Sequence, residues 1–136
     1  MPIPKAMFLI SIASLSLLGF ACRRTDSVLQ DWRPGGLYSI DNGDGEFGIV
    51  KIIVLEPQAV HVRLYKQKFA IRPVSIDAKS LTLGSIDDKD GFGIGHLPLS
   101  RNEFESWEPI FLTQQSVSQE ELDGYEMWKQ GSGKTF

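Results

Sequence analysis

The segment from residue 37 to residue 66, LYSIDNGDGEFGIVKIIVLEPQAVHVRLYK, constrains the fold more than any other part of the chain. Its central stretch, Phe47–Leu55, is rich in β-branched residues and is apolar at odd and even positions alike, apart from Gly48 and Lys51. Because side chains alternate between the two faces of a strand, this composition predicts a central strand covered on both sides. We expect four of its side chains to be buried, with Ile52 and Val54 on one side and Ile53 and Leu55 on the other.

The segments on either side of this strand predict its antiparallel neighbours. Leu37–Ile40 forms a short strand, and the sequence DNGDG at 41–45 is a turn made of residues that tolerate positive φ. A second turn at 56–58 contains Pro57, which presets φ, and leads into the alternating strand Ala59–Lys66. We expect one face of this last strand to be buried (Val60, Val62 and Leu64) and the other to be solvated (His61, Arg63 and Tyr65).

The next part of the chain predicts one more strand and an extended segment. Ser80–Ile86 is a strand candidate, residues 87–91 form an acidic turn, and Phe92–Leu97 is extended and rich in glycine. Three tryptophans are expected in the core or at its rim: Trp32, Trp107 and Trp128.

Two capping boxes predict helices in the last third of the chain. In each of them a serine is followed three residues later by a glutamate, at Ser100 and at Ser118. The first helix ends by Glu108, since a proline follows, and the second runs from about Gln119 to Lys129 with Leu122, Tyr125 and Trp128 on one face. Pro109–Val117 is extended. The fold class is therefore α+β, mainly β, with a small twisted antiparallel sheet or a partly open barrel and two short C-terminal helices.

The chain begins with a segment that is typical of export. Residues 6–21, AMFLISIASLSLLGFA, carry no charge and are too few to span a bilayer, which takes about 20 apolar residues. The run suits the apolar region of a secretory signal, and the small residues Gly19 and Ala21 suit cleavage before Cys22. We expect a signal peptide at 1–21, a tether at 22–31 and a single globular domain at 32–136.

Ala21 and Cys22 also resemble the end of a bacterial lipobox, although Gly19 and Phe20 depart from the usual leucine and small residue. The resemblance implies lipidation of Cys22, incorporation of palmitate and anchoring in the cell envelope. Cys22 is the only cysteine, so an internal disulfide is excluded, and two acyl chains would make the anchor stable. The alternatives are a secreted or periplasmic protein, or an uncleaved anchor, which the arginines at 23 and 24 favour.

Charge and motifs exclude several function classes. A formal net charge of −3 does not suit a general nucleic-acid binder. The tail sequence GSGKT lacks the first glycine and the following helix of a phosphate-binding loop, and GFGIG at 91–95 lacks the full dinucleotide spacing. The acidic turns do not follow the calcium-loop pattern, and the two histidines do not form a zinc motif or accompany a nucleophile elbow. No cofactor or metal is therefore predicted.

Two functional hypotheses remain. The first is a lipid-anchored binding module without a catalytic site, which binds the membrane through Cys22 and offers its basic middle to an acidic protein or lipid headgroup. Its candidate binding residues are His61, Arg63, Tyr65, Lys68 and His96. The second is a small hydrolase that uses His96, which lies between Gly95 and Leu97, with a nearby carboxylate from Asp87, Asp88 or Asp90.

Several stretches of the domain resemble known proteins. The sequences VHVRLYKQKF, GFGIGHLPLS, FESWEP and EELDGYEMW are similar to those of a group of small uncharacterised bacterial proteins, over roughly Trp32 to the end. That resemblance implies no activity and no catalytic residues. The pattern GLYSI…GDGEFGIVKI resembles small β-rich immunity proteins that neutralise bacterial toxins, which implies a third possibility, a toxin-binding role.

Overall fold

The computed structural model describes residues 31–131 and 133–135. Its five strands form one open antiparallel sheet in the order β4-β3-β2-β1-β5. The strands are β1 (Gly36–Asp41), β2 (Phe47–Leu55), β3 (Ala59–Phe69), β4 (Ile94–Ser100) and β5 (Ile110–Gln114). The helices are α1 (Arg101–Ser106) and α2 (Gln119–Gln130), with a one-turn 3₁₀ helix at Ala78–Ser80. The predicted α+β, mainly β class is confirmed, and the sheet is open.

One face of the sheet, here called the apolar face, carries the hydrophobic core. Helix α1 begins after the N-cap Ser100, whose side chain accepts a hydrogen bond from the Glu103 amide, and it buries Phe104 completely. The ring of Trp32 meets that of Phe104 edge to face at 4.8 Å, and Trp107 packs nearby. The core consists of Tyr38, Ile40, Val50, Ile52, Val60, Val62, Leu99 and Phe104.

The opposite face, here called the polar face, is covered in part by α2. Three polar or charged side chains from the strands are buried, namely Ser39, Lys51 and His61. Helix α2 starts at a complete capping box between Ser118 and Glu121, as the sequence predicts. None of the described residues of α2 is fully buried. The polar face also carries the buried aliphatic side chains of Leu37 and Ile49, which pair with Lys51 and Ser39. It therefore combines polar and aliphatic groups, whereas the apolar face is packed by aliphatic and aromatic side chains.

Bulges change which side chains of β2 face which side. The pairing of β2 with β3 shifts register between Ile52 and Val54, because an extra residue interrupts the alternation. Leu55 consequently packs with the core that contains Ile52, and the prediction that it lies on the opposite side is wrong. Val54 is paired with His61 and so lies on the polar face, not with Ile52 as predicted. Ile52 and Ile53 are buried, whereas Val54 and Leu55 are half-buried at the strand end.

The predicted strand at Ser80–Ile86 is not formed. Ser80 ends the 3₁₀ helix, and the residues after it are irregular. The segment makes isolated backbone hydrogen bonds in place of a ladder, from the Lys66 amide to the Thr82 carbonyl at 2.9 Å and from the Gly93 amide to the Leu83 carbonyl at 2.6 Å. The Gln67 side chain adds hydrogen bonds to Ser80 and Thr82. Gly84 has a positive φ of 67°, which interrupts the extended backbone that a strand ladder requires.

Candidate functional site

The two histidines of the chain lie side by side on the polar face. His61 of β3 pairs with Pro98 of β4, and His96 is two residues before Pro98, so strand alternation puts both imidazoles on the same face. His61 Nδ1 is 2.9 Å from His96 Nε2, and the two rings are stacked with an interplanar angle of 11°. The β3–β4 pairing therefore brings together two residues that are 35 positions apart in sequence.

A glutamate and a tyrosine complete this hydrogen-bonded group. His61 Nε2 is 2.5 Å from Oε1 of Glu56, which lies in the turn between β2 and β3. The Tyr125 hydroxyl of α2 donates to Glu56 Oε2 at 3.2 Å. Glu56, His61, His96 and Tyr125 are called the histidine network below. It links the turn, both strands and α2.

The expectation that His61 is solvated is wrong, because α2 covers that face. His61 is completely buried, with the rings of Tyr125 and Trp128 meeting its own ring edge to face at 4.7 and 4.5 Å. Gly124 makes this approach possible, since a Cβ at that position would lie 2.7 Å from His96 Cβ. An alternating strand indicates which side chains share a face, but it does not indicate which element covers that face.

The electrostatics of the network favour an ionised Glu56 and a neutral His96. The hydrogen bond from His61 holds the pKa of Glu56 below its usual value, against a smaller opposing effect of burial. Burial and the neighbouring His61 lower the pKa of His96 to about 4. In the tautomer in which His61 carries its one ring proton on Nε2 and donates it to Glu56, Nδ1 of His61 accepts the proton of His96 Nε2. His96 Nδ1 is then an acceptor, and no protein group in the described ranges hydrogen-bonds to it.

A second polar contact attaches the start of α2 to the sheet. The Lys51 ammonium is almost fully buried and donates to the Ser116 carbonyl at 2.7 Å and to both carboxylate oxygens of Glu121 at 3.0 and 3.1 Å. Burial raises the pKa of Glu121, but hydrogen bonds from Ser118 and Lys51 lower it by more. Arg63 Nε lies 3.6 Å from Glu121 Oε2 without a hydrogen bond to any described group. Lys51 and Glu121 form a largely buried ion pair between β2 and α2.

A groove opens beside the histidine network. It has a volume of about 410 Å³ and is bordered by the β2–β3 turn, by Trp128 and by the described tail residues Gly133 and Thr135. Glu56 reaches it, with about 35% of its side chain exposed. The Trp128 indole donates to the Lys134 carbonyl at 2.5 Å, so the tail forms part of the groove wall.

The remaining candidate binding residues do not form one cationic surface. Arg63 and Tyr65 are half-buried, and burial raises the pKa of the Tyr65 hydroxyl, whereas Lys68 is exposed. Lys68 lines two surface grooves, of about 330 and 560 Å³, that also contain carboxylates of Asp44 in one and of Glu46 in the other. The carboxylates next to Lys68 reduce the attraction of this region for an anion.

Two of the three carboxylates predicted to assist His96 have another partner. Asp88 and Asp90 contact Lys66 Nζ at 2.8 and 2.9 Å, which lowers the pKa of both carboxyls and raises that of the lysine. The carboxylate joined to the histidines is Glu56, which sequence reasoning assigned only to a turn. Its position directly after β2 was the available signal, but nothing in the sequence shows that its side chain folds back to His61.

Comparisons with family models, curated proteins and solved structures return no match for this chain. The described residues contain no cluster of three or more His, Cys, Asp or Glu side chains arranged to hold a metal ion. Within those same residues, no helix has the length and apolar character needed to cross a membrane. Cys22, the signal peptide and most of the tether lie outside the described residues.

Proposed function

We propose that this chain is a bacterial lipoprotein whose single domain acts as a binding module at a membrane of the cell envelope. The observation that carries the proposal is the uncharged run at 6–21 ending in Ala21 and followed at once by the only cysteine. Lipid on Cys22 would hold the mature chain at the membrane surface, with residues 23–31 as a spacer.

The contacts of the polar face support binding more than catalysis. A general base must come within hydrogen-bond reach of the proton that it removes. His61 is completely buried, and both of its ring nitrogens have protein partners, His96 and Glu56. Lys51 is likewise paired with Glu121 under α2. Their contacts join α2 to the sheet, and this structural role accounts for their presence without catalysis.

Metabolic labelling tests the anchor. Cells that express the full chain and grow with labelled palmitate should transfer the label to the wild-type protein and to a Ser27→Ala control. The Cys22→Ser variant should take up no label, because the thiol that accepts the lipid is absent. It should therefore be missing from the lipid-modified proteins of the membrane fraction. A wild-type protein without label would show that the segment is an ordinary export signal or an uncleaved anchor.

One observation favours a second candidate, acid–base chemistry at the histidine network. The chain of contacts from Glu56 through His61 to His96 ends at a ring nitrogen without a described protein partner, and His96 is only partly buried. If His96 acts as a general base in ester hydrolysis, His96→Gln should lower the rate by about 100-fold or more. A panel of p-nitrophenyl esters tests this, with His96→Gln compared with wild type. A wild-type protein that hydrolyses none of them would remove the support for this candidate.

A further inference from the structure

The loop between β3 and the 3₁₀ helix, residues 70–77, presents two aliphatic side chains to solvent. Val74 is 92% exposed and Ile71 is 84% exposed, the highest values among the large hydrophobic side chains of the described residues. Single exposed apolar side chains are common on protein surfaces, but two such exposed aliphatics in one short loop need an explanation.

The loop is held in place by Arg72, which lies between Ile71 and Val74 in sequence and points inward. One terminal nitrogen of Arg72 donates to the Ser39 hydroxyl at 2.9 Å, to the Ser39 carbonyl at 3.2 Å and to the Glu108 carbonyl at 3.0 Å. Its guanidinium also lies 4.9 Å from the centre of the Phe47 ring. Pro73 fixes φ directly after it. The outward direction of Ile71 and Val74 is therefore set by the inward anchoring of Arg72.

The charge pattern of the loop suits a lipid interface. From Ala70 to Ile76 the only charged residue is Arg72, whose guanidinium is directed inward. Asp77, the first acid after it, accepts a hydrogen bond from the Lys79 amide as the cap of the 3₁₀ helix. Lys68 and Lys79 flank the loop in sequence and are both exposed. Long lysine side chains can place their ammonium groups at headgroup level while neighbouring apolar side chains lie deeper.

Size and reach favour a membrane over a protein partner. A stable protein interface buries about 800 Å² on each side, far more than two aliphatic side chains supply. A membrane-tethered domain needs only a small additional contact, since the anchor already holds it at the surface. Cys22 and Asp31 are nine positions apart, so the spacer can extend to roughly 30 Å. That length allows the domain surface to reach the bilayer.

We propose that loop 70–77 inserts Ile71 and Val74 into the interfacial layer of the membrane that holds Cys22. The loop would fix the orientation of the tethered domain, with its apolar tip toward the lipid. This inference rests on the proposed lipid anchor. It differs from the sequence-based expectation of an anion-binding surface, because the contact is chiefly apolar and should depend little on salt.

Site-specific fluorescence on the full lipidated protein tests the inference. The protein is purified from membranes and reconstituted in phosphatidylcholine vesicles, with Val74→Cys carrying an environment-sensitive nitrobenzoxadiazole dye. Asn102→Cys is the matched control, because Asn102 is also exposed but lies at the start of α1, beside the turn at the other end of β3. The emission at position 74 should shift to the blue and be quenched by lipids spin-labelled near the headgroup. The emission at position 102 should remain that of a dye in water.

Each other outcome overturns the inference and identifies the faulty step. If the vesicles float with the protein and wild type takes up no dye, the anchor stands. Water-like emission at position 74 then shows that the loop does not touch lipid. A blue shift in native membrane vesicles, but neither in phosphatidylcholine nor in vesicles made from the extracted native lipids, would identify a protein partner instead. If wild type reacts with the dye at Cys22 and does not float, the lipid anchor is wrong, and the loop inference is wrong with it.

Discussion

At the scale of single residues, Gly124 determines how closely α2 approaches the sheet. Glycine inside a helix ordinarily costs up to about 1 kcal/mol relative to alanine, so a glycine at this position calls for a packing explanation. The structure supplies the reason, since a Cβ at position 124 would lie 2.7 Å from His96 Cβ, closer than side-chain carbons approach each other. The missing side chain lets Tyr125 and Trp128 reach the imidazole of His61.

We expect Gly124→Ala to destabilise the protein in spite of its better helix propensity. The clash with His96 should cost about 1–3 kcal/mol, which exceeds the gain of up to about 1 kcal/mol from propensity. Urea unfolding of the purified protein measures the difference. Asp123→Ala, at an exposed neighbouring position of the same helix, is the control and should change the stability by less than about 0.5 kcal/mol. An alanine variant that is more stable than wild type would mean that α2 lies farther from β4.

At the scale of secondary-structure elements, α2 is attached differently from α1. Helix α1 buries Phe104 in the apolar core, whereas no described residue of α2 is buried to that extent. The attachment of α2 depends on the histidine network and on the ion pair between Lys51 and Glu121. A largely buried ion pair contributes little net stability over an apolar pair, but removal of one partner leaves the other charge without compensation.

Lys51→Met should therefore destabilise the protein by about 3 kcal/mol, because the Glu121 carboxylate and the Ser116 carbonyl lose their common donor. The double variant Lys51→Met/Glu121→Gln should be more stable than the single one, because the buried carboxylate charge is removed while the glutamine can still cap Ser118. Chemical denaturation of both variants measures this. Lys129→Met replaces an exposed lysine of α2 and should have little effect. A single and a double variant of equal stability would contradict the buried pairing.

At the scale of the whole molecule, the sheet separates two chemically different layers. One layer is an aliphatic and aromatic core, and the other contains several ionisable groups whose protonation is linked to folding. The pKa of His96 is about 4 in the fold, below its ordinary value of 6.5, so the unfolded chain binds more protons between those values. Glu56 and Glu121, whose carboxyl pKa values are lowered, act in the same direction at lower pH.

The stability of the domain should therefore fall as the pH is lowered from about 6.5 to about 4. The loss begins near pH 6.5, where the histidine of the unfolded chain binds a proton and the folded His96 does not. It continues at lower pH as the two carboxylates become protonated. Urea midpoints at a series of pH values measure the slope. The variant His96→Gln removes one titrating group and should give a shallower dependence between pH 6.5 and 4 than wild type. Parallel curves for the two proteins would show that His96 titrates normally.

Local sequence patterns were sufficient for much of the fold. The β-branched run of β2, the turns around it and the serine N-caps of both helices depend on neighbours within a few residues, so the chain itself specifies them. The reciprocal contact of a capping box forms only at Ser118, because the Glu103 side chain accepts from the Trp107 indole instead. The strand predicted at Ser80–Ile86 shows the limit of local patterns. A strand needs a neighbouring strand to pair with, and this segment makes only isolated hydrogen bonds.

Which side chains come together in the candidate site depends on the tertiary structure. His61 and Arg63 look solvent-facing in an alternating strand, and only the docking of α2 over that face buries the histidine and brings Glu121 to Lys51 and Arg63. The contact between His61 and His96 depends on the pairing of β3 with β4, and the role of Glu56 depends on a side chain that folds back over its own turn. Periodicity specifies which side chains share a face of a strand, whereas the groups that cover the face come from distant parts of the chain, and their position is set by packing.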